Sequence, residues 1–283
     1  MAGRSVGFAG LGNLGRPMAG TLVRAGFDLA VFDTVPERAG PLVELGAAAA
    51  PDAAALADRD VLVLAVPDDA AVEQVLDAYL AIDRPGRAAV VHSTVLPQTA
   101  IRLAERAAGR GVDVVDAPVS GGAERAAAGT LTVMAGGDAA ALERLRPLLD
   151  AVGDPVFHVG PVGAGAATKL AHQLAMFANL AGLYEAIDLA SAHGVRTDAL
   201  LTVFSTGLAD SWHVRNLDFW DRTAAAYDAS GTPVSARPWS KDLSEVVQAA
   251  RAADVPVPLA GWLAQTLAAR VEAHAAAARD PGR

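Results

Sequence analysis

Short apolar runs rich in valine recur along the first half of the chain, each closed by Gly, Pro, Asp or a nearby polar residue. They fall at residues 5–9, 29–33, 61–66, 88–92, 112–116, 131–135 and 156–159. Runs of this kind suit strands that are buried on both faces of a sheet. Between them lie Ala- and Leu-rich pieces with helical spacing, among them residues 17–25 and 70–81. The alternation predicts an α/β fold with a doubly wound, mainly parallel sheet.

The pattern changes near residue 160. Gly153, Pro155, Gly160, Pro161, Gly163 and Gly165 form a stretch rich in breakers, a candidate boundary. Beyond it, residues 166–193 read as one long helix closed by Gly194. The remainder reads as helices with one irregular stretch, residues 228–240, and no strand pattern reappears. The reading places a sheet-based domain at residues 1–162 and an all-helical domain at residues 163–283. Residues 280–283 read as a frayed tail. A length of 283 residues agrees with roughly two domains.

Composition narrows the function. Lys and Arg number 23 and Asp and Glu 32, a formal charge of −9. That argues against a phosphate-binding surface for nucleic acid. The absence of cysteine excludes disulfides, thiolate zinc sites and cysteine nucleophiles. No run reaches the roughly 20 apolar residues of a membrane span. The apolar start is broken by Asn13 and Arg16, which favours a strand and turn over a signal peptide. The expectation is a cytoplasmic protein with no membrane and no metal.

Gly10-Leu11-Gly12-Asn13-Leu14-Gly15 fits the spacing GxGxxG directly after a strand pattern and at the start of a helix. The first glycine permits a tight turn, the second lets a pyrophosphate approach the backbone, and the third lets helix and strand pack closely. The helix N-terminus adds attraction for negative charge. A second strand ends at Asp33, and 33 − 12 = 21 residues, near the spacing of about 20 expected for a carboxylate that accepts the ribose hydroxyls. No Arg follows directly, which favours NAD over NADP.

Two further features carry candidate chemistry. Ser120, Gly121 and Gly122 close a strand, and their backbone N–H groups suit an anion such as a substrate carboxylate or, equally, a plain turn. Lys169 and Lys241 are the only lysines. Lys169 lies early on the long helix and shares a face with His172 and Gln173. A partly desolvated lysine can exchange protons with an alcohol near neutral pH, although a lone surface lysine is the commoner case.

Together these motifs resemble the β-hydroxyacid dehydrogenases of the 3-hydroxyisobutyrate and tartronate-semialdehyde type, over nearly the whole length. GLGNLGRPMA at residues 10–19 looks like the family's cofactor loop. DAPVSGGAERAAAGTLTVMAGG at 116–137 is similar to its substrate motif, and GAGAATKLAHQ at 163–173 to its catalytic helix. Lys241-Asp242-Leu243 resembles the family's KDL motif. Val66-Pro67 and His92-Ser93-Thr94 resemble the loops flanking the adenosine and nicotinamide sides of the cofactor.

The resemblance implies a Rossmann domain followed by an all-helical domain on a long inter-domain helix, assembled as a dimer or tetramer. It implies a nicotinamide cofactor bound by Gly10 to Gly15, Asp33, Val66, Pro67, Thr94 and Lys241. A small carboxylate substrate would meet Ser120, Gly121, Gly122, His172, Gln173 and Lys241, with Lys169 as general acid and base. Gln173 stands where the family usually has Asn, and His172 is similar to a position of 6-phosphogluconate dehydrogenase. The rival readings are an imine reductase, which typically lacks the lysine, a decarboxylating sugar-acid dehydrogenase, and a non-catalytic cofactor-binding protein.

Overall fold

The computed structural model describes residues 5–279. The expected frayed tail, residues 280–283, lies outside them. The first half alternates as the apolar runs predict. In order come β1 (Ser5–Ala9), α1 (Gly15–Arg24), β2 (Asp28–Phe32), α2 (Gly40–Glu44), β3 (Ala48–Ala49), β4 (Val61–Leu64) and α3 (Asp69–Leu80). Then follow β5 (Ala88–Val91), α4 (Pro97–Ala108), β6 (Asp113–Asp116), β7 (Val119–Ser120), α5 (Gly122–Ala128), β8 (Leu131–Gly136), α6 (Ala139–Val152) and β9 (Gly153–Gly160). The strands form one sheet in the order β3-β2-β1-β4-β5-β6-β8-β7, with β9 paired to β8.

The sheet is parallel from β3 to β6, and β8 runs antiparallel to β6 and β7. Period-two alternation splits its side chains between two apolar layers. On β4, Val61 and Val63 join Val6, Phe8 and Leu22 on one face. Leu62 and Leu64 join Val72, Leu76 and Tyr79 on the other. Each such side chain contributes about 1.5–3 kcal/mol of burial, which is why these runs carry no polar alternation. Helix starts follow local chemistry: Asp68 caps α3 through the Ala71 N–H, and Asp138 caps α6 through those of Ala140 and Ala141.

The chain moves outward from β1 to β3 and returns to β4 beside β1. Strand order therefore reverses between β1 and β4, and in open α/β sheets ligands bind at the carboxyl ends of strands at such a point. Gly10 stands there.

The second half is helical: α7 (Ala164–Ala192), α8 (Thr197–Phe204), α9 (Trp212–Arg215), α10 (Phe219–Ala229), α11 (Pro238–Ala252) and α12 (Pro258–Arg279). Gly194, at φ +78°, ends α7, and the Val195 N–H returns to the Ala190 carbonyl. The chain divides after Lys169 into two compact units. The second has its own core of Phe177, Leu180, Tyr184, Trp220, Trp239 and Leu263, among others. The stretch read as irregular, residues 228–240, is pinned there by buried Arg237, which pairs with Glu272 and Asp228. Among the described residues no helix is long and apolar enough to cross a membrane.

Candidate active site

The glycine loop shows three distinct requirements. Gly10 has φ +95°, and a Cβ there would lie 2.4 Å from the Ala65 carbonyl oxygen. A Cβ on Gly15 would lie 1.9 Å from the Gly10 carbonyl oxygen. Around Gly12 a Cβ would meet nothing within 4 Å. The first and third glycines thus pack the turn shut, while the second leaves open space over the start of α1. Asn13 and Leu14 are half-buried beside it. These residues fit a dinucleotide: a tight turn, an open approach and a helix N-terminus with no acidic residue in its first turn.

Asp33, just past β2, accepts from the Leu11 N–H at 2.7 Å through one oxygen. Its other oxygen accepts from the Val35 N–H at 2.9 Å and from the Arg38 guanidinium at 3.2 Å. Arg38 is a residue that sequence reasoning missed. On the far side of β1, the Val66 N–H donates to the Ser93 hydroxyl at 2.9 Å, joining the Val66-Pro67 loop to the His92-Ser93-Thr94 loop. His92 is buried and its Nδ1 hydrogen-bonds the Ala117 carbonyl. Burial lowers its pKa to about 4, so the ring is neutral.

The second loop is more ordered than a plain turn. Val119 and Ser120 pair with Val133 and Thr132 of β8. Gly121, at φ +140°, turns the chain into α5, and a Cβ there would meet the Arg125 side chain at 2.9 Å. Lys169 is 8% exposed, and its ammonium donates to the Val119 carbonyl at 2.9 Å. It is therefore held at the residue before Ser120 and does not extend into solvent.

Asp116, at the end of β6, is wholly buried; the sequence placed it at a strand end and at the head of the motif 116–137, without a role of its own. Its carboxylate accepts from the Gly163 N–H at 2.9 Å and the Ala166 N–H at 2.7 Å. Burial raises its pKa to about 6, against those amides, which lower it.

Within the second unit, Gln173 is 4% exposed and both ends of its amide are engaged. Its nitrogen donates to an Asp242 oxygen at 2.6 Å, and its oxygen accepts from His172 Nδ1 at 3.2 Å. The Lys241 ammonium lies 3.1 Å from Asp242 and 2.7 Å from Glu245. Burial works to lower the Lys241 pKa, but these two carboxylates overcome it and the net shift is upward. His213 is buried nearby, and burial, with His172 as the second cause, lowers its pKa to about 4.

The structure thus brings Ser120, Gly121, Gly122 and Lys169 together in the first unit. It brings His172, Gln173 and Lys241 together in the second, joined by Asp242. Asp242 lay inside the quoted KDL motif without a role. Its signal was a lone carboxylate beside one of only two lysines.

Residues 5–160 match the family described as the NAD binding domain of 6-phosphogluconate dehydrogenase. Residues 163–281 match the one described as NAD-binding of NADP-dependent 3-hydroxyisobutyrate dehydrogenase. The chain is 37% identical over 272 residues to an NAD-dependent L-serine dehydrogenase of Pseudomonas aeruginosa, covering 93% of this chain and 91% of that one. It is 34% identical over 269 residues to a 3-hydroxyisobutyrate dehydrogenase of the same organism, covering 93% and 90%. Its fold is similar to that of a Mycobacterium tuberculosis 3-hydroxyisobutyrate dehydrogenase solved with L-serine. There the TM-score is 0.82, the identity 29% and the coverage 95% and 94%.

Proposed function

The chain belongs to the β-hydroxyacid dehydrogenase family, and on that premise we propose that it transfers hydride between NAD and a small β-hydroxy acid or its semialdehyde, with Lys169 as general acid and base. One observation carries the reading: a buried ammonium, that of Lys169, held 2.9 Å from the carbonyl that precedes Ser120. An amine fixed beside an anion-binding loop is suited to exchange a proton with the hydroxyl of a bound hydroxy acid.

The roles divide by chemistry. The backbone from Gly10 to Gly15 would hold the pyrophosphate over the start of α1. Asp33 would accept the ribose hydroxyls, and Val66, Pro67 and Thr94 would flank the cofactor. When bound, NAD accepts the hydride that leaves the carbinol carbon. The Ser120 hydroxyl and the Gly121 and Gly122 N–H groups bind the substrate carboxylate. In oxidation the neutral Lys169 amine takes the hydroxyl proton at Nζ, and in reduction the ammonium returns it. Such proton transfer contributes typically 10²–10⁴-fold. The Val119 carbonyl orients Nζ throughout. His172, Gln173 and Lys241 are assigned to substrate binding, and Lys241 also to the cofactor. Asp242 fixes Gln173 and Lys241.

Residues 1–162 would then be the dinucleotide-binding domain, and residues 163–283 the substrate and oligomerisation domain of a cytoplasmic dimer or tetramer. L-serine, 3-hydroxyisobutyrate and L-threonate are the first substrates to assay, each with NAD and NADP, on the native enzyme and on Lys169→Ala. Turnover of one or more by the native enzyme, and of none by Lys169→Ala, is expected. Equal turnover by the variant would remove Lys169 from the chemistry.

A further inference from the structure

Two rungs join α7 to the segment that runs from the end of β6 into Ser120. In the first, the Asp116 carboxylate takes the Gly163 and Ala166 amides. In the second, the Lys169 ammonium donates to the Val119 carbonyl. The first rung holds the start of α7 to the end of β6, and the second, about one turn further along α7, holds it to β7.

No slack is left between them. A Cβ on Gly165 would lie 2.4 Å from the Asp116 carbonyl oxygen and 2.5 Å from that of Met134. A Cβ on Gly136 would lie 2.6 Å from Asp116 Oδ1. The first helical turn is seated on β6 and β8 at a distance that excludes a methyl group.

From this geometry we infer that Asp116 is a positioning residue for Lys169. Its carboxylate locks the start of α7 to β6, and so sets both where the ammonium sits and how firmly it holds its proton. The inference rests on the reading of Lys169 as acid and base. A helix start exposes N–H groups and a partial positive charge, which favours loss of a proton from a lysine less than two turns away. A buried carboxylate on those same amides satisfies them and restores negative potential near Nζ. Although burial raises Asp116 to about 6, the group stays ionised at neutral pH. The groups facing its carboxylate are the amides of Gly163, Gly165 and Ala166. The Val119 carbonyl faces Lys169, and His172 is the titratable residue that follows it on α7.

The test is the pH profile of kcat for Asp116→Asn, at saturating NAD with whichever of L-serine, 3-hydroxyisobutyrate and L-threonate the native enzyme oxidises fastest. Asn keeps the shape and one acceptor but loses the charge. Oxidation needs neutral Lys169, so loss of the negative charge should move the acid limb down, by about one pH unit. The plateau of kcat should also fall, by about 10-fold or more, with KM for NAD unchanged. A limb that stays in place, whatever the plateau, overturns the inference, because a merely structural role lowers activity without moving it. Lys169→Ala is the control. If that variant keeps its turnover, the acid–base reading fails. If it is inactive while the Asp116→Asn limb is unmoved, only the role of Asp116 fails. Should Asp116→Asn not fold, hydrogen exchange on the native enzyme decides. Protection of the Gly163, Gly165 and Ala166 amides should fall as pH drops through about 6, and a flat protection profile overturns the inference.

Discussion

At Asp33 one carboxylate serves three donors, the Leu11 and Val35 amides and the Arg38 guanidinium. A carboxylate that accepts the ribose hydroxyls repels a 2′-phosphate, and a guanidinium beside it softens that repulsion. Arg38→Ala should therefore sharpen the preference for NAD. The ratio of kcat/KM for NAD over NADP is expected to rise about 10-fold, the value of one lost charge-assisted contact. An unchanged ratio would show that Arg38 does not face the 2′ position. Asp33 was legible in the sequence because it ends a strand 21 residues after Gly12. Arg38 was not, because the turn of Pro36–Ala39 folds it back onto Asp33 and no periodic pattern encodes that return. Lys169 was legible as a rare lysine, but its burial against Val119 was not. Reading burial from the sequence would need the packing of β7, a strand of two residues.

At the scale of elements, the glycine loop separates folding from binding. Gly15→Ala drives a methyl into the Gly10 carbonyl, so α1 cannot start where it does, and a large loss of melting temperature is expected. Gly12→Ala meets open space, so thermal stability should hold while NAD affinity falls about 10-fold or more, the methyl occupying the pyrophosphate approach. Calorimetric melts beside NAD titrations check both, and the account fails here if Gly12→Ala binds NAD normally. The long buried strands were readable because burial on both faces leaves unbroken Val and Leu. Ala48–Ala49 and Val119–Ser120 were not read as strands, because two residues hold no period. Their pairing is set by β2 and β8, which are distant in the chain. The end of α7 was readable because Gly194 supplies the positive φ that closes it.

At the scale of the whole molecule, both units hold a histidine that resists protonation: His92 in the first and His213 in the second, each lowered to about 4 by burial. A folded-state pKa below the unfolded value of about 6.5 means that stability is full above that pH and is lost as pH falls toward 4. Asp116 opposes this, since its raised value relieves a buried charge as pH falls from about 6. Two groups outweigh one, so the net loss is on the order of 3 kcal/mol. Melting curves should show a temperature several degrees lower at about pH 4.5 than at pH 7. Equal or higher melting in acid would contradict the burial of the two rings. The division into a parallel-sheet half and a helical half was visible in where the valine-rich runs stop, whereas the pairing of Gln173 with Asp242, 69 residues apart, depended on tertiary packing. The central claim remains the proton transfer at Lys169. Its most direct measurement is turnover of Lys169→Ala beside its affinity for NAD. The account predicts a loss of kcat of about 10³-fold with NAD affinity within about 3-fold of native. A variant that binds NAD and turns over at the native rate would contradict it.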